Sequence, residues 1–142
     1  MNNKPEKFIY DDLTIGQEAH FEETITKEMV KEFSRVSGDV NPLHMDPGYA
    51  AETAFKKPIA HGMLCGALIS RLLGMHLPGL YCLYLSQNLN FKKPIFYGTK
   101  VTVKGMIVQK IDAYKTVRIE TSVHDESGNV LITGEATVQL LK

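Results

Sequence analysis

A chain of 142 residues with 44% apolar side chains fits one domain with a real core, which excludes wholesale disorder. Sixteen basic residues balance sixteen acidic ones, which argues against a nucleic-acid partner, since such proteins carry a basic excess. No apolar run reaches the ~18 residues of a membrane span, and the polar start MNNKPEKFIYDDL lacks a signal-peptide core, so a cytoplasmic protein with reduced Cys65 and Cys82 is expected, with no membrane partner.

Met1 to Asp12 reads as a loose lead-in or edge segment, and Ala19 to Thr24 alternates weakly as a first strand. Thr26 is an N-cap for a helix from Lys27 to about Val36, with Met29, Val30, Phe33 and Val36 on one face. Ser37-Gly38 ends it. A loop from Asp39 to Asp46 follows, rich in turn formers. Asp46 as a cap and Pro47 in the first turn start a short helix through about Thr53. Phe55 to Ala60 stays extended around Pro58. From Gly62 to His76 the residues are apolar on nearly every face, which predicts a buried helix of about 15 residues. Cys65 on that helix reads as core filler, because no basic neighbour would activate its thiol.

After Leu77-Pro78-Gly79 the period changes to two. Leu83 to Phe91 alternates, and Lys92-Lys93-Pro94 closes it. Lys100 to Ile111 places Val101, Val103, Ile107 and Ile111 on one parity, and Lys115 to His124 does the same with Val117, Ile119 and Val123. The turn Asp125-Glu126-Ser127-Gly128-Asn129 leads into a last strand, Val130 to Leu140. Strands joined by short turns make an antiparallel meander. Such a sheet must bury one face, and the long apolar helix is the only element able to cover it. The fold class is therefore α+β, one domain over residues 1–142, with no repeat or linker.

Chemistry concentrates between Phe33 and Met63, in FSRVSGDVNPLHMDPGYAAETAFKKPIAHGM. Asp39 and His44 stand five residues apart, with Gly38, Asn41 and Pro42 around them. A carboxylate and an imidazole on one loop near a helix start can move protons beside a developing oxyanion. Gly62 suits an oxyanion donor, because it has no side chain and its N–H lies in a first helical turn. Asn41 and Pro42 organise and stiffen the loop; whether Asn41 also touches the chemistry stays open. Asp39, His44, Asp46 and His61 are enough donors for zinc. With no HxxxH or HExxH spacing, no metal is expected, and His61 reads as a loop or pocket residue.

At GDVNPLHMD and PIAHGML the chain resembles the R-specific enoyl-CoA hydratases of the MaoC-like dehydratase family. These have the hot-dog fold, a curved antiparallel sheet wrapped around a long central helix. The resemblance runs ungapped from Phe33 to near Leu73, and more weakly through YLSQNLNFKKPIFYGTKVTV and GEATVQLL. It implies syn addition of water to a trans-2-enoyl thioester, giving the (R)-3-hydroxyacyl thioester, and the reverse dehydration. It implies Asp39 and His44 as the catalytic pair, without saying which is the formal base, and the N–H of Gly62 as the donor to the thioester carbonyl. It also implies Ser70 and Leu73 along an acyl pocket, though Leu73 fits a plain core role equally.

The resemblance further implies a homodimer with acyl-CoA along its interface. No cofactor is implied beyond the CoA thioester itself as substrate, and acyl carrier protein is the alternative carrier. Lys92 and Lys93 read as a solvated pair, with CoA phosphates as the other reading. Arg71 faces either a dimer seam or a phosphate. Ser70 and the branched residues near it point to short or medium chains. Two rival functions share the fold: a thioesterase, whose water attacks the carbonyl, and a non-catalytic acyl-thioester-binding module.

Overall fold

Period-two alternation sets the architecture. In the computed structural model, which describes residues 3–142, five strands form one antiparallel sheet. They are β1 Glu18–Thr24, β2 Cys82–Phe91, β3 Lys100–Ile111, β4 Thr116–Asp125 and β5 Val130–Leu140, and they lie side by side in the order β1-β3-β4-β5-β2. The meander β3-β4-β5 is as the spacing predicts. One face is apolar: Val101, Val103, Ile107, Val117, Ile119, Val123, Ala136 and Val138 are fully buried. Ile111 drops out of that parity because a bulge between Ile107 and Gln109 shifts the register by one residue.

Four α-helical segments precede β2: α1 Lys27–Ser37, α2 Pro42–Met45, α3 Pro47–Ala51 and α4 Gly62–Arg71. The Oγ1 of Thr26 accepts the N–H of Met29 at the start of α1, and Gly38 ends that helix with φ of 77°. Its buried face holds Val30 and Ser34; Val36, expected inside, is 73% exposed. α4 continues into a π turn, Leu72–His76, where the N–H of Leu77 donates to the carbonyl of Leu72. Helix and turn lie on the apolar face of the sheet, and Cys65, Ile69, Leu72 and Leu73 are fully buried. This is the hot-dog arrangement.

Two expectations need correction, and the Arg71 side chain has partners within the chain. The lead-in is not loose over its described part, although Met1 and Asn2 lie outside the described residues. Tyr10 is buried and its hydroxyl donates to Asp112 at 2.6 Å, which pins the segment across the end of the sheet. Arg71 is held within the chain: its Nη1 stands 2.9 Å from Oε2 of Glu23 and its guanidinium lies over Phe21, tying α4 to β1. Finally, α4 is not apolar-in on every side, because Met63, Ala67 and Ser70 form an exposed stripe at helical spacing.

Among the described residues no helix is long and apolar enough to cross a membrane.

The helix can approach the sheet closely because β3 has a bare backbone at Gly105. A Cβ there would stand 2.9 Å from Cδ2 of Leu72 and 3.1 Å from Cγ2 of Ile119. The substitution Gly105→Val is expected to cost about 1–3 kcal/mol through overpacking. The check is a lowered urea midpoint with an unchanged m-value.

Candidate active site

Turn chemistry decides which atoms of the Asp39–Asp46 segment are spoken for. The Ser37 hydroxyl donates to the carbonyl of Phe33 at 2.7 Å and accepts the N–H of Asp39 at 3.1 Å. Oδ1 of Asp39 accepts the N–H of Asn41 at 3.2 Å, an Asx turn. Its second oxygen, Oδ2, is left to face inward. The segment is not a plain loop, as the sequence suggested, because Asn41 starts a helical turn. Its Oδ1 accepts the N–H of Leu43 at 2.9 Å, Pro42 holds the first position, and the resulting α2 carries His44.

His44 is held at three points. Its Nδ1–H donates to the carbonyl of Ile59 at 2.7 Å. That bond fixes the tautomer and leaves Nε2 as the nitrogen able to take a proton. The hydroxyl of Tyr97 donates to the backbone carbonyl of His44. Burial pushes the Tyr97 phenol above its ordinary value, which keeps it a donor. The third hold is the ring of His61, whose centroid lies 3.9 Å from that of His44.

Oδ2 of Asp39 stands 3.9 Å from Nε2 of His44 and 3.9 Å from Nε2 of His61. The carboxylate is half exposed while His44 is only 14% exposed, so the pair spans the boundary between solvent and interior. Both line a cavity of about 550 Å³, together with Gly62, Phe33, Phe55, Phe91 and Ile132. Gly62 begins α4, and its cap residue His61 makes no side-chain cap bond, so the first-turn N–H groups are not taken by a side chain. A Cβ on Gly62 would stand 2.7 Å from the ring of Phe91. Any larger residue there would have to displace that ring.

Donor atoms of Asp39, His44 and His61 all lie within 4.8 Å of one another, close enough to hold a metal ion. Asp46 is not in that set, because its Oδ1 accepts the N–H groups of Gly48 and Tyr49 and caps α3. Ser70 and Leu73 do not line the cavity in the single chain: Ser70 lies on the exposed stripe of α4 and Leu73 is fully buried in the core. Lys92 and Lys93 do line it, at the end of β2. Cys65 stays core material, its thiol pushed up to about 12 by burial. Sequence reasoning missed Tyr97 and Phe91, which bear no motif. His61, read as a loop or pocket residue, does line the cavity, and it fills a cap position usually held by Ser, Thr, Asp or Asn.

Comparison with known proteins gives one consistent answer. The MaoC like domain model matches residues 12–129. An (R)-specific enoyl-CoA hydratase of Aeromonas caviae is 41% identical, over 90% of this chain and 96% of its own. A mitochondrial 3-hydroxyacyl-[acyl-carrier-protein] dehydratase of Arabidopsis thaliana is 32% identical, over 90% of this chain and 78% of its own. Among solved structures, an R-hydratase of Pseudomonas aeruginosa without ligand superposes with a TM-score of 0.91 at 38% identity, covering 96% of this chain and 87% of that one.

The capping geometry makes a separable prediction. Asn41→Ala is expected to lower unfolding free energy by about 0.5–2 kcal/mol, while Asn41→Ser, which keeps an acceptor, stays near wild type. Denaturant titration of the two variants side by side is the check.

Proposed function

The chain belongs to the MaoC-like domain family, and from that premise we propose that it hydrates trans-2-enoyl-CoA to (R)-3-hydroxyacyl-CoA and catalyses the reverse dehydration. The observation that carries the proposal is the 3.9 Å gap between Oδ2 of Asp39 and Nε2 of His44, opening on a cavity that also holds the start of α4. A gap of that size suits one water held by both groups at about 2.8 Å.

Asp39 and His44 are the catalytic pair in this reading. The pair orients the water and takes a proton from it as its oxygen attacks C3 of the enoyl group. Electrons of the double bond move onto the thioester oxygen as the C3–O bond forms. The N–H of Gly62, at the positive end of α4, stabilises that oxyanion. Collapse of the oxyanion returns the electrons to C2, which takes its proton from the same pair. Water and proton arrive from one side, which makes the addition syn. No external electron acceptor, metal or cofactor enters this balance. His44 offers its bare Nε2 and Asp39 its free Oδ2, so they share the proton as a coupled pair. Asn41 and Pro42 organise the loop that holds both.

A second copy of the chain completes the protein in this reading. The two sheet edges differ. β1, EAHFEET, carries three glutamates, which discourage pairing, whereas β2, CLYLSQNLNF, has no charge and no buried residue. Leu83, Leu85 and Phe91 on β2 are exposed, as is Met63 on α4. A homodimer through this edge would cover them together with Ser70, and CoA would lie along the seam near Lys92 and Lys93. Two free cysteines fit a reducing, cytoplasmic setting. Whether the carrier is CoA or acyl carrier protein turns on that seam, since the relatives include both kinds by name.

Two measurements test the reading. Wild type is expected to consume the enoyl absorbance of crotonyl-CoA and release (R)-3-hydroxybutyryl-CoA without free thiol, while Asp39→Asn and His44→Ala each lose roughly 10²–10⁴-fold in kcat. Thiol release would instead mark a thioesterase, and unchanged turnover in both variants would remove the pair from the mechanism. Light scattering is expected to give about twice the 15.9 kDa chain mass, reduced toward one chain by Leu85→Glu.

A further inference from the structure

His61 is a buried imidazole with one ring nitrogen paired and the other not. It is 3% exposed, and its Nδ1 has no hydrogen-bond partner among the described residues. A buried polar atom left unpaired costs free energy, and an aliphatic side chain between Phe33 and His44 would avoid that cost. What the imidazole supplies in return lies at its other nitrogen.

The hydrogen bonds of Nε2 show what. It lies 3.0 Å from the carbonyl oxygen of Asp39, which can only accept, so Nε2 carries a hydrogen and donates it there. Ser34 Oγ is 3.3 Å from the same nitrogen. That hydroxyl donates to Sδ of Met45 at 3.1 Å, which leaves a lone pair turned to His61. The directions agree along the chain: Nε2–H to Asp39, more weakly to Ser34, and Ser34 to Met45 on α2. Meanwhile the imidazole face stacks on His44 at 3.9 Å, with Phe33 behind it at 4.9 Å.

We propose that His61 is a positioning residue for the Asp39–His44 pair. Its Nε2–H fixes the backbone of Asp39, and its ring face fixes the plane of His44. One rigid side chain at the start of α4 thus sets the gap between the carboxylate and the imidazole. It also precedes Gly62, so the water-holding pair and the oxyanion donor share one anchor. The role rests on the hydration reading above and adds a third side chain to the machinery without giving it substrate contact.

The test compares two variants with wild type, on crotonyl-CoA. His61→Gln keeps a side-chain N–H of similar reach; His61→Leu keeps volume and loses the donor. His61→Leu is expected to keep a Tm near wild type and KM within about threefold, yet lose roughly 10²-fold in kcat, the scale of a misplaced catalytic group. His61→Gln is expected to recover most of kcat and to keep both limbs of the kcat/KM pH profile. Wild-type kcat in His61→Leu, or equal loss in both variants at equal Tm, overturns the role. So does a missing pH limb in His61→Gln, which would make His61 a proton carrier. If His61→Leu does not fold, the Gln variant decides: strong kcat loss at wild-type Tm overturns positioning by the donor, and retained kcat supports it. A wild type that turns over no enoyl-CoA sinks the hydration reading, and this role with it; a turning-over wild type beside an unimpaired His61→Leu sinks the role alone.

Discussion

One constraint orders this molecule: the sheet has a single apolar face, and only the segment starting at Gly62 is apolar enough to cover it. Burying Val103, Ile107, Val117, Ile119 and Val138 requires Ile69, Leu72 and Leu73 to lie over them. Gly105 lets the helix settle by offering backbone where Leu72 arrives. Once the C-terminal part of the helix is seated, its N-terminus must emerge at the rim of the sheet. The positive end of a buried helix, opening beside a cavity, is a result of covering the sheet.

The remaining parts of the site come from local turn geometry. The chain leaving α1 must return to the start of α4, and it does so through two one-turn helices capped by Asn41 and Asp46. Each cap or turn bond consumes one atom and frees another. Oδ1 of Asp39 is bound to its own turn, so Oδ2 faces inward. Nδ1 of His44 is bound to Ile59, so Nε2 faces Asp39. The two side-chain atoms that the scaffold leaves without a local bond are the ones that face each other across 3.9 Å.

Local rules carried the sequence reading far. Thr26, Gly38, Pro47 and the Asp125–Asn129 turn mark element ends through chemistry confined to a few residues, and the observed strand and helix limits follow them closely. The architecture was legible too, because four alternating segments beside one all-apolar segment leave few ways to bury everything. Asp39, His44 and Gly62 could be picked out by residue type and spacing, and the fold gathers them around one cavity. What escaped depends on contacts distant in sequence. Tyr97 reaches His44 across 53 positions, Arg71 finds Glu23 across 48, and Tyr10 finds Asp112 across 102. No periodicity encodes such meetings. Val36 fails for a different reason: the buried face of α1 runs through Val30 and Ser34, and Val36, two residues past Ser34, points to the opposite side. Ile111 fails because a bulge is invisible to parity counting.

At Gly62 the structure gives a second reason for a glycine. A missing side chain suggests open space for a thioester, yet the ring of Phe91 already fills the direction a Cβ would take. The N–H and the missing Cβ point different ways from the same backbone atom group. Phe91 therefore walls one side of the helix start, and both residues line the same cavity. The same ring is 52% exposed at the end of the uncharged edge strand β2, so one side chain borders both the cavity and the open edge of the sheet.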